Sequence, residues 1–276
     1  MAEPPIPLEP RNDLFQQALS NTSKIVFKRL LHFSSVPSTN VYLKQLAKVG
    51  EREGLIVLAD EQSEGMGRLD RKWYSPPGGL YFSLLVRPMS IRAEETPLIT
   101  LTAGVAVAKV LQTALGLEAG LKWPNDVVLN NQKVAGILVE SAFIGDDIEY
   151  AVIGIGINAN STLGDFPDLI QSKVTTLQEQ LNRAVDLPRL FGYLVGQLEF
   201  WFVILRDKGF RAIKPHYRRL CRTLGKNVTV DMGDRHVTGK ADKLDVDGSL
   251  IIQTAEGRLN IRSGDMVSSI SEDMNE

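Results

Sequence analysis

The sequence predicts an α+β protein with a mixed, mainly antiparallel sheet and helices, followed by a small all-β module. Short apolar runs of strand length alternate with segments of helical length along the first 222 residues. Several strand segments are joined by short polar turns of the hairpin type. After residue 225 only short strands separated by glycine-containing turns follow, which is typical of a small β-barrel.

Turn and cap residues divide the first half of the chain into elements. Ser38 is typical of a helix N-cap, and Gly50 and Gly116 are typical of helix ends. The polar segment 60–73 contains two glycines, which predicts a loop. We therefore predict helices over residues 13–18, 39–49 and 97–115, and strands over residues 25–33, 55–59 and 80–86.

The second half is richer in strand signals. Asn130 begins a short polar turn between two apolar runs, which predicts a hairpin, whereas residues 159–187 are polar and irregular. We predict strands over 121–123, 127–129, 134–143 and 148–158, helices over 190–206 and 210–222, and short strands over 227–231, 236–244, 249–253 and 258–261. Residues 1–24 are predicted to be a polar leader. The change near residue 223 from mixed helices and strands to short strands alone predicts a boundary between a main domain over 25–222 and the β-barrel over 223–276.

Composition excludes several classes of protein. The chain has 276 residues, and 31 Lys and Arg against 33 Asp and Glu give a formal net charge of −2. A chain without a basic excess is not expected to bind nucleic acid by default. Its one cysteine, Cys221, cannot form an internal disulfide, and no pair of cysteines indicates a zinc site. These features predict a reducing, cytoplasmic location.

Neither a targeting segment nor a membrane span is predicted. The first ten residues contain two Glu and four Pro, unlike a secretory signal or a transit peptide. The longest apolar stretch, residues 98–117, is interrupted by Lys109 and Gln112 among other polar residues. This stretch therefore predicts a buried helix, and we expect no membrane partner.

The first candidate site is the polar segment 60–73, called the glycine-containing loop below. Two glycines flank Met66, and Arg68 follows them. Such a loop lets backbone N–H groups approach an anion, and the arginine could neutralise a carboxylate or a phosphate. Taken alone, the loop is more typical of a flexible charged surface segment, because short glycine motifs occur often.

Two further blocks carry polar residues at strand ends. In Lys-Trp-Pro-Asn-Asp, residues 122–126, the proline ends a strand, so Lys122 and Asp126 could serve a nucleotide and its metal ion as readily as form a plain turn. Lys133 opens an apolar strand, where it could equally be a solvent-exposed hairpin lysine. Glycines at 136, 154 and 156 leave strand faces bare, which allows either a flat ligand or a tightly packed neighbour.

Taken together and in this order, these motifs resemble those of biotin protein ligases, in a short form without an N-terminal DNA-binding domain. The resemblance covers residues 33–276 and is strongest over 38–158. Four elements carry it: Ser-Thr-Asn at 38–40, Gln62 with the loop 65–73, the block 122–126 with the strand 133–140, and Gly-Ile-Gly-Ile-Asn at 154–158. The small terminal β-barrel also matches this family.

The resemblance implies a fold and a reaction. The fold would be a class II synthetase-like biotin/lipoate ligase catalytic domain with a C-terminal Src-homology-3-like β-barrel. The enzyme would use ATP and Mg²⁺ to activate biotin as biotinyl-5′-AMP. It would then transfer the biotinyl group to a specific lysine of the biotin carboxyl carrier protein of acetyl-CoA carboxylase or a related enzyme. AMP and pyrophosphate would be released. A homodimer is left open, and DNA is not expected as a partner.

The resemblance also assigns roles to residues of this chain. The biotin contacts would be Ser38, Thr39, Asn40, Gln62, Met66, Gly67, Arg68, Lys133, Gly136 and Gly154. The nucleotide contacts would be Arg71, Trp73, Lys122, Asn125, Asn158 and Arg262. Asp126 would hold the metal ion, and Lys122, Lys133 and Arg68 would act in catalysis, because lysines and Mg²⁺ must offset the repulsion between two anionic substrates.

One departure from the family pattern concerns the loop, which usually reads Gly-Arg-Gly-Arg-x-Gly-Arg-x-Trp. Here Met66 replaces the first arginine and Asp70 replaces the third glycine. The Met66 side chain cannot donate a hydrogen bond or neutralise a carboxylate. We expect retained activity with a weaker hold on the adenylate.

Three other functions compete with this interpretation. A lipoate or octanoate ligase has the same fold, but relatives that use a thiol need a placed cysteine, and Cys221 lies beyond the motifs. A biotin-responsive DNA-binding repressor is not expected, because only 37 residues precede Ser38, and they are acidic and proline-rich at the start. A sensor without enzymatic activity could lack Lys122 and Asp126, and both are present.

Overall fold

The computed structural model describes residues 14–23, 25–87 and 92–270, with only the backbone described at 268–270. The helices are α1 (Leu14–Thr22), α2 (Thr39–Lys48), α3 (Thr96–Leu115), α4 (Asp168–Gln171), α5 (Leu177–Leu181), α6 (Leu187–Lys208) and α7 (Phe210–Leu220). The strands are β1 (Arg29–Val36), β2 (Leu55–Gln62), β3 (Leu80–Val86), β4 (Gly120–Lys122), β5 (Asp126–Leu129), β6 (Gln132–Ile144), β7 (Asp147–Ile157), β8 (Asn227–Asp231), β9 (His236–Leu244), β10 (Leu250–Thr254), β11 (Gly257–Ile261) and β12 (Asp265–Ile270).

The larger sheet has seven strands in the order β1-β2-β3-β7-β6-β5-β4. Strands β1 and β2 pair in parallel, and the other neighbours pair antiparallel. The mixed, mainly antiparallel sheet predicted from the sequence is therefore confirmed. The long central pair β6–β7 places Gly136 opposite Gly156 and Leu138 opposite Gly154, so three of the predicted bare strand positions adjoin one another.

Local sequence accounts for the turns that build this sheet. Ser38 caps α2, because its side chain accepts a hydrogen bond from the Val41 backbone N–H at 3.4 Å. The β5–β6 hairpin turns through Asn130 and Asn131, whose φ values of 49° and 64° match the two left-handed positions of a type I′ turn. Gly116 ends α3 in the left-handed conformation, as predicted.

Helix α3 is the core helix of the molecule. Twelve of its residues are buried, among them Thr102, whose hydroxyl donates to the Leu98 carbonyl at 2.7 Å. It is also the one helix in the described part of the chain that is long and apolar enough to cross a membrane by length and composition. Because 67% of that apolar window is buried inside the protein, the prediction of a buried helix is confirmed.

The C-terminal module is a five-stranded antiparallel sheet in the order β11-β10-β9-β8-β12. It shares a continuous apolar core with the larger sheet. The Trp123 indole N–H donates to the Gly248 carbonyl at 3.1 Å, and the Trp123 backbone N–H donates to the Thr223 hydroxyl at 3.0 Å. Trp123 therefore ties the end of β4 to the C-terminal module.

The structure corrects several predicted boundaries. Strand β1 begins four residues later than predicted, and β2 continues to Gln62 inside the predicted loop. The segment 159–187 was predicted to be irregular but contains α4, α5 and a short 3₁₀ turn. Helix α5 begins where Thr176 caps it by accepting from the Glu179 backbone N–H at 3.1 Å. Strand β12 was not predicted, since its serines interrupt the apolar pattern. Of the predicted leader, residues 1–13 and 24 lie outside the described residues, and 14–22 form α1.

Candidate active site

A pocket with a cavity volume of about 160 Å³ opens between the glycine-containing loop, the first turn of α2 and the paired strands β6 and β7. Fourteen residues of the predicted site line it: Ser38, Thr39, Asn40, Gln62, Met66, Gly67, Arg68, Arg71, Trp73, Asn125, Asp126, Lys133, Gly136 and Gly154. Residues separated by about 116 positions in sequence thus meet in one cavity.

The glycine-containing loop folds back on itself as a compact turn. The Trp73 backbone N–H donates to the Gly65 carbonyl at 2.9 Å, and the Gly67 N–H donates to the Arg71 carbonyl at 2.7 Å. A Cβ on Gly65 would lie 2.4 Å from the Trp73 carbonyl, so a side chain is excluded there. At the turn, Asp70 has a φ of 56°, a left-handed conformation that aspartate tolerates better than most residues. Asp70 can therefore occupy the position where the family pattern has glycine.

A hydrogen-bonded group of polar side chains forms the inner end of the pocket. Gln62 Oε1 accepts from the Thr39 backbone N–H at 2.9 Å and from the Thr39 hydroxyl at 3.1 Å. The Gln62 amide nitrogen donates to the Ser75 hydroxyl at 2.8 Å. Ser83, a polar residue in the otherwise apolar strand β3, contacts both Thr39 Oγ1 at 2.7 Å and Asn40 Oδ1 at 2.6 Å. These partners hold the inner polar atoms in fixed positions.

Two large side chains cover the strand glycines. A Cβ on Gly156 would lie 2.5 Å from Cε2 and Nε1 of Trp73, and one on Gly136 would lie 2.9 Å from Cζ3 of the same ring. A Cβ on Gly154 would lie 2.2 Å from Asn40 Oδ1. The sequence left a flat ligand and a packed neighbour open for these positions, and in this structure packed neighbours lie there. Trp73 becomes an apolar wall of the pocket, with Lys133 Nζ 5.1 Å from its ring centroid.

The outer end of the pocket is cationic, and its charges are paired within the protein. Lys133 Nζ lies 2.7 Å from Asp126 Oδ1. From the C-terminal module, Asp265 lies 2.7 Å from Arg71 Nη2 and 3.6 Å from Arg68 Nη1. Arg68 also donates to the Gly264 carbonyl at 3.2 Å. Anionic substrate groups entering this end would meet guanidinium and ammonium groups already held in place.

Asp126 is the residue that the sequence predicts to hold a metal ion. Within the described ranges, no three His, Cys, Asp or Glu side chains cluster closely enough to hold a metal ion without help. Mg²⁺ bound with a nucleotide commonly takes one or two carboxylates and completes its shell with phosphate and water oxygens. The Asp126 carboxylate at the cationic end, half-buried beside Lys133, suits that arrangement.

Three predicted nucleotide residues do not line the pocket. Lys122 is half-buried next to it, and burial lowers the pKa of its ammonium group, although the nearby Asp126 carboxylate opposes this shift. Asn158 is buried and donates to the carbonyls of Lys133 at 3.4 Å and Thr175 at 3.2 Å, while its Oδ1 has no partner among the described residues. Arg262 is largely exposed and faces Asp247 at 3.5 Å.

Four residues that shape this site are not among the predicted site residues: Ser75, Ser83, Glu140 and Asp265. Ser83 carried a usable signal, because a serine amid six apolar residues of a buried strand needs hydrogen-bond partners. Glu140 lies within β6, and its Oε2 accepts from Asn40 Nδ2 at 2.9 Å. Asp265 had no signal, since β12 was not predicted.

Comparison with known proteins agrees with this geometry. Residues 32–158 match the biotin/lipoate A/B protein ligase family, and residues 223–267 match the biotin protein ligase C-terminal domain. The bifunctional ligase/repressor BirA of Bacillus subtilis is 32% identical over 245 residues, which cover 88% of this chain and 75% of the relative. The biotin–[acetyl-CoA-carboxylase] ligase of Paracoccus denitrificans is 32% identical over 228 residues, covering 80% and 92%.

Solved structures give the same result. The biotin protein ligase from Aquifex aeolicus in complex with biotin and ATP superposes with a TM-score of 0.74 at 32% identity. The match covers 87% of this chain and 98% of that chain. The two matched domains and the relatives' similarity over most of their length establish that this chain belongs to the biotin/lipoate A/B protein ligase family, in its biotin protein ligase branch.

Proposed function

We propose that this protein activates biotin with ATP as biotinyl-5′-AMP and transfers the biotinyl group to a lysine of a biotin carboxyl carrier protein. The observation that carries the proposal is the division of one pocket into two chemically different ends. Thr39 and Gln62 lie at the inner end as fixed polar groups, whereas Arg68, Arg71 and Lys133 lie at the outer end as cations. Biotin has the matching division, with a ureido ring at one end and a carboxylate at the other.

The first step joins two anions, so the cations have a defined task. A carboxylate oxygen of biotin attacks the α-phosphorus of ATP, a phosphorus–oxygen bond forms, and the bond to the bridging oxygen breaks to release pyrophosphate. Lys133 and Arg68 would neutralise the carboxylate and the α-phosphate, and Lys122 would serve the phosphates from its half-buried position. Mg²⁺, held with the nucleotide by Asp126, would supply further charge neutralisation.

The second step needs no nucleophile from this protein. The carrier lysine amine attacks the acyl carbon of the mixed anhydride, an amide bond forms, and AMP leaves while the amine loses a proton. Water would hydrolyse the same anhydride, so it must be excluded until the carrier arrives. The glycine-containing loop, which already covers one side of the pocket, would close further over the adenylate.

A lipoate or octanoate ligase is not favoured. The relative matched over 92% of its length is named as a biotin–[acetyl-CoA-carboxylase] ligase, and the similar structure at 32% identity contains biotin and ATP. We further propose a cytoplasmic location with neither DNA nor a membrane as partner, which the net charge of −2 supports. We keep the division into residues 25–222 and 223–276 as the proposed domain boundary. A homodimer stays open and would be decided by sedimentation.

The first step can be tested without any carrier. Purified protein is mixed with Mg-ATP and either biotin or lipoate, and pyrophosphate release is followed. We expect about one pyrophosphate per active site with biotin and none with lipoate. Lys133→Met should abolish the signal, and Lys48→Met, which removes an exposed lysine from the end of α2, should not. Pyrophosphate release with lipoate but not with biotin would overturn the proposal. So would release that occurs when neither acid is present.

A further inference from the structure

Lys72, in the glycine-containing loop, is a cation that the proposed reaction does not use. It lines the pocket, although the sequence analysis assigned it no role. Each of the other three cations that line the pocket lies within 4 Å of a carboxylate of this protein: Arg68, Arg71 and Lys133. Lys72 has no such carboxylate partner among the residues that the structure describes. Its charge is therefore not neutralised by an ion pair within the described protein.

The backbone of the loop places Lys72 beside Met66. The two residues lie opposite each other across the turn as an antiparallel pair. The backbone hydrogen bonds that close the turn lie on either side of this pair and not within it. In an antiparallel pair of that kind the two side chains are close together on the same face. Both side chains line the pocket, so a charge at either position reaches the same part of it.

The Lys72 ammonium is held only weakly in the ligand-free protein. Its Nζ lies 5.1 Å from the centroid of the Tyr74 ring, and the lysine side chain is exposed. A cation–π contact at an exposed site is weak, and the lysine stem is flexible. Lys72 can therefore turn toward an anion in the pocket without breaking an ion pair. Arg68 and Arg71, in contrast, would have to share their anion with Asp265.

The product of the first step presents one anionic group to these cations. When the mixed anhydride forms, the carboxylate of biotin loses its charge, and the departing pyrophosphate removes the other phosphate charges. The phosphate that joins the biotinyl group to the nucleoside keeps a single negative charge. A hydrogen bond between an ammonium and a phosphate is stronger than one between neutral groups, so a cation without a competing carboxylate is well suited to hold this group.

We propose that Lys72 contacts the phosphate of bound biotinyl-5′-AMP and supplies, from the opposite side of the turn, the charge that Met66 lacks. This inference rests on the proposed function, since it requires the adenylate in the pocket. It gives Lys72 a task after the first step, which is to slow the escape of the adenylate until the carrier arrives. The binding of biotin alone does not depend on this contact.

The experiment measures how fast biotinyl-5′-AMP leaves the protein. The adenylate is formed on the enzyme from labelled biotin and Mg-ATP without a carrier, and its release is followed in a filter-binding chase. We expect Lys72→Met to release it about tenfold faster than the wild type, which is the usual effect of losing one hydrogen bond to a charged group. Lys72→Arg keeps the charge and should stay within about threefold of the wild type. The dissociation constant for biotin alone should change less than about twofold in both variants.

A second variant tests the relationship between Lys72 and Met66. The double variant Met66→Arg, Lys72→Met moves the positive charge across the turn to the facing residue. We expect it to release the adenylate within about threefold of the wild-type rate, because the two changes have opposite effects that add. A merely structural role of the Lys72 side chain would not be restored by a charge at another position. Release as fast as from Lys72→Met would contradict the proposed contact.

The matched control is Lys48→Met, which removes an exposed lysine that does not line the pocket and should leave the release rate unchanged. Because Lys72 is exposed, its variants should fold, and thermal melting checks this. Release of the adenylate from folded Lys72→Met at the wild-type rate would overturn the inference. An equally large loss of affinity for biotin alone would also overturn it, since Lys72 would then contact the carboxylate. Failure of the wild type to form the adenylate would instead overturn the proposed function.

Discussion

The Asp265 carboxylate, contributed by the C-terminal module, lies 2.7 Å from the Arg71 guanidinium in the glycine-containing loop. Asp265 also lies 3.6 Å from Arg68, so one buried carboxylate holds two arginines of the loop. The C-terminal module thus contributes directly to the pocket and does not merely cover it. This relationship makes the loop's position depend on a residue about 190 positions away in sequence.

Replacing Asp265 with Asn should loosen the loop in the ligand-free protein. The two ion pairs would be lost, and partly buried pairs of this kind contribute about 1 kcal/mol. We expect trypsin to cleave after Arg68 and Arg71 about fivefold faster than in the wild type, the factor that this free energy corresponds to. Asp242→Asn, which affects a longer 3.8 Å pair with Arg258 in the same module, is the control. Equal cleavage in all three proteins would contradict the role of Asp265.

Ligand binding should have the opposite effect on the same loop. If the loop closes over the adenylate, biotin with ATP should slow tryptic cleavage at Arg68 and Arg71 in the wild-type protein. The amount of intact chain against time, with biotin alone and ATP alone as references, measures this protection. Cleavage at an unchanged rate would count against closure of the loop.

Lys122→Met should separate activity from stability. We expect pyrophosphate release to fall by about 100-fold, the usual cost of removing one charged group that stabilises a transition state. Stability should not fall, because burial lowers the pKa of Lys122 and so makes its charged form unfavourable in the folded protein. Lys48→Met, at an exposed site, should change neither quantity.

The difference in stability between Lys122→Met and the wild type should depend on pH in a definite direction. The unfolded chain binds the Lys122 proton more tightly, so the wild type gains stability as the pH rises from the lowered pKa through the ordinary value of 10.5. The stability of Lys122→Met relative to the wild type should therefore be greatest at neutral pH and shrink toward pH 10. Urea denaturation across this range measures it. A gap that widens with pH would show that burial does not penalise this charge.

Gly156→Ala should displace the Trp73 wall. The added Cβ would lie 2.5 Å from two atoms of the indole ring, so the ring must move. We expect about a tenfold rise in the KM for biotin, since overpacking of this kind costs about 1–3 kcal/mol. The emission of Trp73 should change as well. Gly196→Ala in α6, where the nearest atom is 3.6 Å away, serves as the control. An unchanged KM would mean that the Trp73 position is not needed for biotin.

Met66→Arg should strengthen the hold on the adenylate. Met66 lines the pocket and is 39% exposed, so an arginine there can reach an anionic group without burial of its charge. We expect biotinyl-5′-AMP to dissociate about tenfold more slowly in a filter-binding chase. Leu69→Arg adds the same charge to an exposed position of the loop that does not line the pocket, and should have no effect. Equal rates for Met66→Arg and the wild type would show that this position contributes little.

The sequence predicted most strands because their apolar runs are bounded by strong turn residues. Asn130 and Gly116 lie where the structure turns, and Ser38 caps the helix predicted after it. What it missed depends on pairing that no local pattern contains. Strand β12 forms because β8 offers it a partner, and Asp265 becomes a site residue through that pairing.

The candidate site was predicted through a resemblance, and the structure gives it a physical basis. Fourteen predicted residues meet in one pocket, whereas Asn158 and Arg262 have other surroundings. The pattern could not tell whether the glycines of β6 and β7 face a ligand or a side chain. Only the tertiary packing of Trp73 and Asn40 decides that question in this structure.

The most direct test of the account is the transfer reaction itself. The protein is incubated with biotin, Mg-ATP and a biotin carboxyl carrier domain of acetyl-CoA carboxylase, and the carrier is weighed by mass spectrometry. A matched carrier with its acceptor lysine changed to arginine is the control. We predict that one biotinyl group is added to the intact carrier, and none to the control or with lipoate in place of biotin. A carrier whose mass stays unchanged with biotin, or rises with lipoate alone, would contradict the account.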